Sequence, residues 1–371
     1  MALQQTASQL PPRQTSKTRR KKSSGLGFAM ITLMSFTVLL LAALCWFFLT
    51  SSGTSVRLMM ADTLITTQHR DWAKYLIGSD ELKKRVEAYW KQFEEMGEEK
   101  DKGLVDIEHK TTEPAAIKKD LVTIEPVSGK NFKGHLVTIS DPKKLRIAVP
   151  EKAGKGEKVS SMVKRTGAIL GVNGGGFIDP NWEGNGFQPE GIVISGGKIF
   201  YNDKGMNGSV QVVGIDKEGR MIAGKYKVSE LAEMGVQEAV SFSPRFIVNG
   251  VGQIKSQADG WGIAPRTSMA QTKDGSILFC IIDGRQKHSI GATLYDVQQI
   301  FLEHGAVTAA NLDGGASSVL VHNNAIVNKP SSEYGERYLP TAWLVFDHPE
   351  TAKIKNVWEG LDIRKIDPSK W

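Results

Sequence analysis

Asn311-Leu312-Asp313-Gly314-Gly315-Ala316-Ser317-Ser318 follows a small apolar run, Ala306-Val307-Thr308-Ala309-Ala310, that reads as a buried strand. A carboxylate is delivered to a strand end, and the chain turns at once on two glycines. Glycine permits a tight turn and close approach of a ligand to the main chain. An ordinary turn, the competing reading, needs one glycine and an Asx side chain, not this whole set together. Two further runs repeat the arrangement. Ala168-Ile169-Leu170-Gly171-Val172 ends in Asn173-Gly174-Gly175-Gly176-Phe177, and Ser276-Ile277-Leu278-Phe279-Cys280-Ile281-Ile282 ends in Asp283-Gly284-Arg285. Three polar, glycine-rich strand ends in one domain predict one shared pocket, because sites gather on loops held by a rigid sheet.

The charge balance narrows the partners. Of the net charge of +7, six positive charges belong to Arg13, Lys17, Arg19, Arg20, Lys21 and Lys22 in the acid-free stretch 1–26. The remainder is near neutral, which argues against a nucleic-acid-binding body. No charge occurs between Ser23 and Val56, and Phe28 to Leu49 is almost wholly apolar. About 20 helical residues cross a hydrocarbon core. Trp46, Phe47 and Phe48 sit at the far end of this run, where aromatics favour the interface. The expectation is a single-pass signal anchor over residues 27–50, with a basic cytoplasmic tail (1–26) and the C-terminal bulk extracellular. A cleaved signal peptide is the rival, but the apolar run exceeds the usual h-region and no clear A-x-A site follows it. The two cysteines, Cys45 in the span and Cys280 in a buried strand, supply no disulfide framework. That suits a Gram-positive cell surface better than a secreted eukaryotic domain.

Residues 51–111 read as a helical stalk. Ser79 is its candidate N-cap, with Asp80 and Glu81 in the first turn. Leu82, Val86, Tyr89, Trp90, Phe93 and Met96 fall on one helical face. That face could pack on its own domain, self-associate or lie on the membrane, and packing on its own domain is the favoured reading. From residue 112 short strands alternate with Gly, Asp, Asn and Pro. Two helices stand out, one near Lys158–Thr166 and one over Leu294–His304, the latter with a Thr293/Asp296 capping box and a terminating Gly305. The fold class is therefore α+β: a strand-rich, mixed, twisted-sheet domain over residues 112–347, with few helices, behind one transmembrane helix and the stalk. Residues 348–371 form a C-terminal extension.

Several chemistries are excluded. There is no G-x-S-x-G, no dinucleotide or P-loop pattern, and no H-E-x-x-H or Cys/His zinc set. What remains are carboxylates (Asp283, Asp313, Asp179, Glu190) and guanidiniums (Arg245, Arg266, Arg285). Carboxylates with arginines suit chemistry on a sugar bearing a phosphate or carboxylate. No cofactor is required. Asp-and-glycine loops can supply oxygens to a divalent cation such as calcium, but no spacing demands one.

In order along the chain, Val172-Asn173-Gly174-Gly175, Pro265-Arg266-Thr267, Asp283-Gly284-Arg285 and Asn311-Leu312-Asp313-Gly314-Gly315 with Ser317-Ser318 resemble the phosphodiester glycosidase family over roughly residues 120–347. Ser268-Met269-Ala270 and Ala316 depart from the commoner small or glycine residues, without removing a charged group. The resemblance implies hydrolysis of a sugar–phosphodiester bond, of an N-acetylglucosamine type, with a glycan phosphodiester as substrate. It implies Asp313 as principal catalytic carboxylate and Asp283 as the second carboxylate or as the residue orienting Arg285. Arg266 would hold the phosphate, with Arg285 as a further candidate. Asn173 and Asn311 would bind sugar hydroxyls or the acetamido group, and amides of Gly174, Gly175, Gly314 and Gly315 would line the pocket. Ser317 and Ser318 would donate to the phosphate. Asp283 is equally readable as a turn residue, Arg245 as an ion pair, and Trp182 and Trp261 as sugar platforms or buried packing. Competing functions are a phosphodiesterase cutting P–O and a non-catalytic glycan-binding or scaffold protein of envelope assembly.

Overall fold

The computed structural model describes residues 25–67, 69–99, 101–107, 120–179, 185–333, 335–362 and 366. The basic tail and Trp182 lie outside the described residues. Two units are distinguished, 1–57 and 58–371. In the first, Gly25–Leu49 is one helix, and Gly27–Leu49 is long and apolar enough to cross a membrane by length and composition. Arg57 closes its end by donating from Nη1 to the carbonyls of Phe47 and Phe48, at 3.0 and 3.2 Å, where the last helical carbonyls lack helical partners.

The second unit is α+β and strand-rich, as its sequence predicts. Its strands form three sheets, and every pairing among the described residues is antiparallel. The seven-stranded sheet runs Val122–Ser128, Lys133–Ile139, Ile277–Ile282, Arg266–Thr272, Ala306–Asn311, Arg245–Val248, Val251–Gly252. A five-stranded sheet holds Leu170–Asn173 between Leu320–His322 and Ala342–Val345, with Ala325–Ile326 and Leu145–Ala148 at its edges. The third is built on Ile192–Ser195, Val236–Ser241 and Ser209–Asp216, with Lys198–Asn202 and Met221–Lys227 outermost.

Ile277–Ile282 shows why an uninterrupted apolar run is a strand here. Side chains alternate between faces, and both faces are covered. Ile277, Phe279 and Ile281 enter a core shared by all three sheets, beside Val172, Val213, Val240 and Trp343. Leu278, Cys280 and Ile282 enter a second core under the helix Leu294–Glu303. Burial of each such side chain contributes about 1.5–3 kcal/mol. The Leu294–Glu303 helix carries both halves of its capping box: Thr293 Oγ1 accepts from the Asp296 amide and Asp296 accepts from the Thr293 amide.

The stalk segment contains Ser51–Ile65, Lys74–Ile77 and Ser79–Glu98 as helices. Its longest helix packs on its own domain, against Met221–Lys227 and Arg245–Val248. Gln211 donates to the Phe93 carbonyl at 3.2 Å, and Gly97 packs directly on Gln211. Two expectations are corrected. The cap position is Gly78, at φ 80°, with no side-chain cap bond, so Ser79 is the first helical residue. Trp90 does not share the buried face: Tyr89, Phe93 and Met96 turn inward while Trp90 is 52% exposed.

Candidate functional site

Antiparallel register collects the chemistry at one end of two sheets. Arg266 lies opposite Ile282, Ser268 opposite Asn311, and Asn173 opposite Ala342. The segments flanking these strand ends therefore meet. The Asp313 amide donates to the Gly174 carbonyl at 3.2 Å, Leu312 to Thr267 at 2.9 Å, and Gly315 to Pro265 at 2.9 Å. The glycines are required by contact. A methyl at Gly174 would lie 2.4 Å from Thr341 Oγ1, and one at Gly175 2.7 Å from the Ser241 carbonyl.

Several expected site residues are engaged by other parts of the fold. Asn173 is completely buried. Its Oδ1 accepts from Thr267 Oγ1 at 2.9 Å and from the Val319 amide at 3.1 Å, while Nδ2 donates to the Asp313 carbonyl. Gly174 and Gly175 donate their amides to the carbonyl and hydroxyl of Thr341. Asp283 Oδ1 accepts from Asn328 Nδ2 (3.1 Å) and the Lys329 amide (2.9 Å), and its Oδ2 faces His288 Nε2 at 3.0 Å. Arg266 donates to the carbonyls of Ala292, Trp261 and Gly262 at 2.8–3.1 Å. Burial, then the charge of Arg285, brings its pKa down to about 10, so it stays cationic at neutral pH. Trp261 is buried against Phe93, ring centroids 4.8 Å apart, and offers no open sugar platform. Arg245 is buried and ion-paired with Asp101.

Asp313 stands apart. Its Oδ2 is buried without a hydrogen-bond partner, as is the neighbouring Ser318 Oγ. A buried carboxylate oxygen without a donor is costly. Burial pushes the Asp313 carboxyl up to about 6, and the Glu190 carboxylate adds to the rise. A hydrogen bond with Ser317, the charge of Arg337 and the Gly314 amide oppose it. Asn311 Oδ1 accepts from Ser268 Oγ at 3.0 Å.

Arg285 lies across this turn: a methyl at Gly315 would be 3.4 Å from its Nη2. Its backbone is left-handed, φ 57°, a conformation costly for any residue with a Cβ. Burial and the charge of Arg337 lower its pKa. Arg337 itself pairs with buried Asp179 and sits over the Phe177 ring, 4.9 Å from the centroid. Glu190 approaches from the Gly176 side, where a methyl would lie 3.0 Å from Oε2. Its pKa is raised by burial and by Asp203. Arg337 and Glu190 thus act on Asp313, and Arg337 acts on Arg285.

Sequence reasoning assigned no role to Glu190 and did not single out Arg337. Arg337 stands in an irregular loop with no strand-end pattern. Its signal is an arginine beside Gly335 and Glu336, and Glu336 anchors the loop by accepting from the Ser160 amide at 2.9 Å. Among the described residues no group of three or more His, Cys, Asp or Glu is arranged to hold a metal ion. A surface cavity of about 470 Å³ lined by Asp101, Ile222, Tyr226, Glu230, Glu233 and Met234 shares no residue with this constellation.

Residues 166–346 match the phosphodiester glycosidase family model. Among curated proteins, the chain is 27% identical over 212 residues to the SPbeta prophage-derived uncharacterized protein YomE of Bacillus subtilis, covering 55% of this chain and 32% of that one. It is 26% identical over 224 residues to bovine N-acetylglucosamine-1-phosphodiester alpha-N-acetylglucosaminidase, covering 53% of this chain and 40% of that one. The chain thus spans about a third to two fifths of these relatives. Among solved structures, the zebrafish catalytic domain of that glycosidase, auto-inhibited by its pro-peptide, shares the fold. The TM-score is 0.51 at 23% identity, over 61% of this chain and 82% of that one.

Proposed function

We propose that the chain hydrolyses the C1–O bond of a sugar-1-phosphodiester, releasing the sugar and leaving a phosphomonoester. The observation that carries this reading is the buried, partnerless Oδ2 of Asp313 in the field of Arg337 and Glu190. Water supplies the oxygen that bonds C1, the C1–O electron pair departs with the phosphate, and the proton of water passes to a carboxylate or to solvent. A phosphate leaving group needs little protonation, so the demand falls on stabilising charge at the departing phosphate and at the oxocarbenium-like sugar. Arg285 and Arg337 suit the first task, since two guanidinium forks match phosphate geometry. Asp313 suits the second as nucleophile, base or electrostatic partner, with Glu190 as the other carboxylate. Ser317, Ser318 and the Gly314 amide order Asp313 and the phosphate, and Asn311 contacts the sugar. Arg266, Asp283 and Asn173 support the site by fixing its strand ends.

The relatives' names favour an N-acetylglucosamine substrate. With Gly27–Leu49 as an uncleaved anchor, the domain would act outside the cytoplasm on cell-surface or extracellular polysaccharide, and a Gram-positive envelope suits its lack of disulfides. The test is release of reducing N-acetylglucosamine from UDP-N-acetylglucosamine and from wall-polymer phosphodiesters, by the chain and by Asp313→Asn, in ¹⁸O-water. Label in the sugar, lost with Asp313→Asn, supports the reading. Label in the phosphate marks P–O cleavage, and saturable polymer binding without turnover marks a binding protein.

A further inference from the structure

The helical segment behind the apolar helix carries a surface that its packing on the domain does not explain. Trp72 is 59% exposed, Tyr75 75% and Trp90 52%. Among the described residues from 58 onward these are the exposed aromatic side chains; the strand-rich part exposes only scattered aliphatic residues and methionines, such as Met206, Val251 and Ile290. Single exposed apolar residues are ordinary, whereas grouped large ones mark contacts.

Trp72 and Tyr75 lie three residues apart, and Trp90 is tied to the same segment. Arg70 lies over the Trp90 ring at 5.8 Å, which joins the turn Arg70–Ala73 to the helix Ser79–Glu98. His69 packs on Trp72 at 4.6 Å, and Lys74 lies over Tyr75 at 5.2 Å. Each exposed ring therefore has a cationic or polar side chain beside it. Rings with an apolar body and a polar edge, flanked by Arg and Lys, match the headgroup region of a bilayer. The position along the chain selects lipid as the occupant. Trp72 follows Leu49 by 23 residues. Tethering at that distance gives a membrane a local concentration that a free protein does not reach.

We infer that Trp72, Tyr75 and Trp90, with Arg70 and Lys74, form a second, peripheral contact with the phospholipid surface of the membrane that Gly27–Leu49 crosses. This inference rests on the anchor reading of that helix. The contact adds to the anchor by restricting how the domain turns about its tether.

The full chain carrying Trp46→Phe is reconstituted in nanodiscs of phosphatidylcholine and phosphatidylglycerol with chains brominated near the headgroup. Quenching of tryptophan emission that falls by more than half on adding Trp72→Phe and Trp90→Phe is the expected result. Equal quenching with and without them overturns the inference. A chain that leaves the nanodiscs on gel filtration overturns the anchor reading instead. The surface is then read on residues 58–371, which hold their own cores. This unit should co-sediment with vesicles of the same lipids, and Trp72→Ser/Tyr75→Ser/Trp90→Ser should weaken partitioning on the order of tenfold. Failure to co-sediment, or self-association abolished by the triple variant, assigns the surface elsewhere and overturns the inference.

Discussion

Asp283 and Asp313 look alike in sequence: each ends an apolar strand and each precedes a glycine. In the fold they are opposites. Asp283 has both oxygens engaged, by Asn328, the Lys329 amide and His288. Asp313 keeps Oδ2 buried and partnerless. Arg266 and Arg285 divide the same way. Three carbonyls hold the first, while the second lies over Gly315 in a left-handed backbone. Residue type at a strand end marks a candidate, and saturation of its polar atoms separates a structural tie from a group poised for chemistry.

The sharpest way to break this contrast is to remove one charge at a time. Asp313→Asn should lower sugar release by about 10³-fold or more, whereas Asp283→Asn should leave kcat within severalfold and cost about 1–3 kcal/mol in urea unfolding. Equal losses of kcat would erase the distinction. Arg285→Gln and Arg337→Gln should each lower kcat/KM for a phosphodiester by about 10–100-fold. Arg266→Gln should chiefly lower Tm, because buried carbonyls lose their donors. Asn173→Ala, which orphans the Val319 amide and Thr267, should cost about 2–3 kcal/mol in denaturant with the KM of the folded enzyme unchanged.

The pH dependence sharpens it further. Activity that needs ionised Asp313 should rise with pH through about 6 and then level. Stability runs the other way. The native pKa is raised above the ordinary value of 3.8, so the native state binds this proton more tightly than the unfolded chain does. Ionisation costs stability progressively between those two values, and in full above them. Asp313→Asn should therefore raise Tm at pH 7.5, by about 2–4 °C for each kcal/mol relieved, and change it little near pH 4. The smallest effect is expected of Ser318→Ala, a change in kcat/KM of less than about tenfold.

Much of this was legible in the chain. The runs ending at Val172, Ile282 and Ala310 are apolar because both strand faces are buried, and the Thr293/Asp296 box marks its helix because capping is local chemistry. The site was legible as a set of strand ends. It was not legible which members had partners, since those come from distant segments: Thr341 beneath Gly174 and Gly175, Asn328 on Asp283, and the Trp261 and Gly262 carbonyls on Arg266. Arg337 escaped notice because it is positioned by Asp179 and Phe177, 158 and 160 residues earlier in the chain. Trp90 follows helical periodicity yet is exposed, while Tyr89, Phe93 and Met96 of the same helix reach the core.

The pairing of Lys133–Ile139 with Ile277–Ile282, and of Leu145–Ala148 with Ala342–Val345, has a consequence for how the molecule comes into being. Early strands must wait for partners well over a hundred residues downstream, so neither sheet closes until almost the whole chain has been made. Such non-local topology folds slowly. The family-matched segment from residue 166 to 346 also omits these early strands, so cutting the gene there would leave Ile277–Ile282 as a bare apolar edge that invites aggregation. Late closure leaves the five-stranded sheet open until its last strand, Ala342–Val345, has been made.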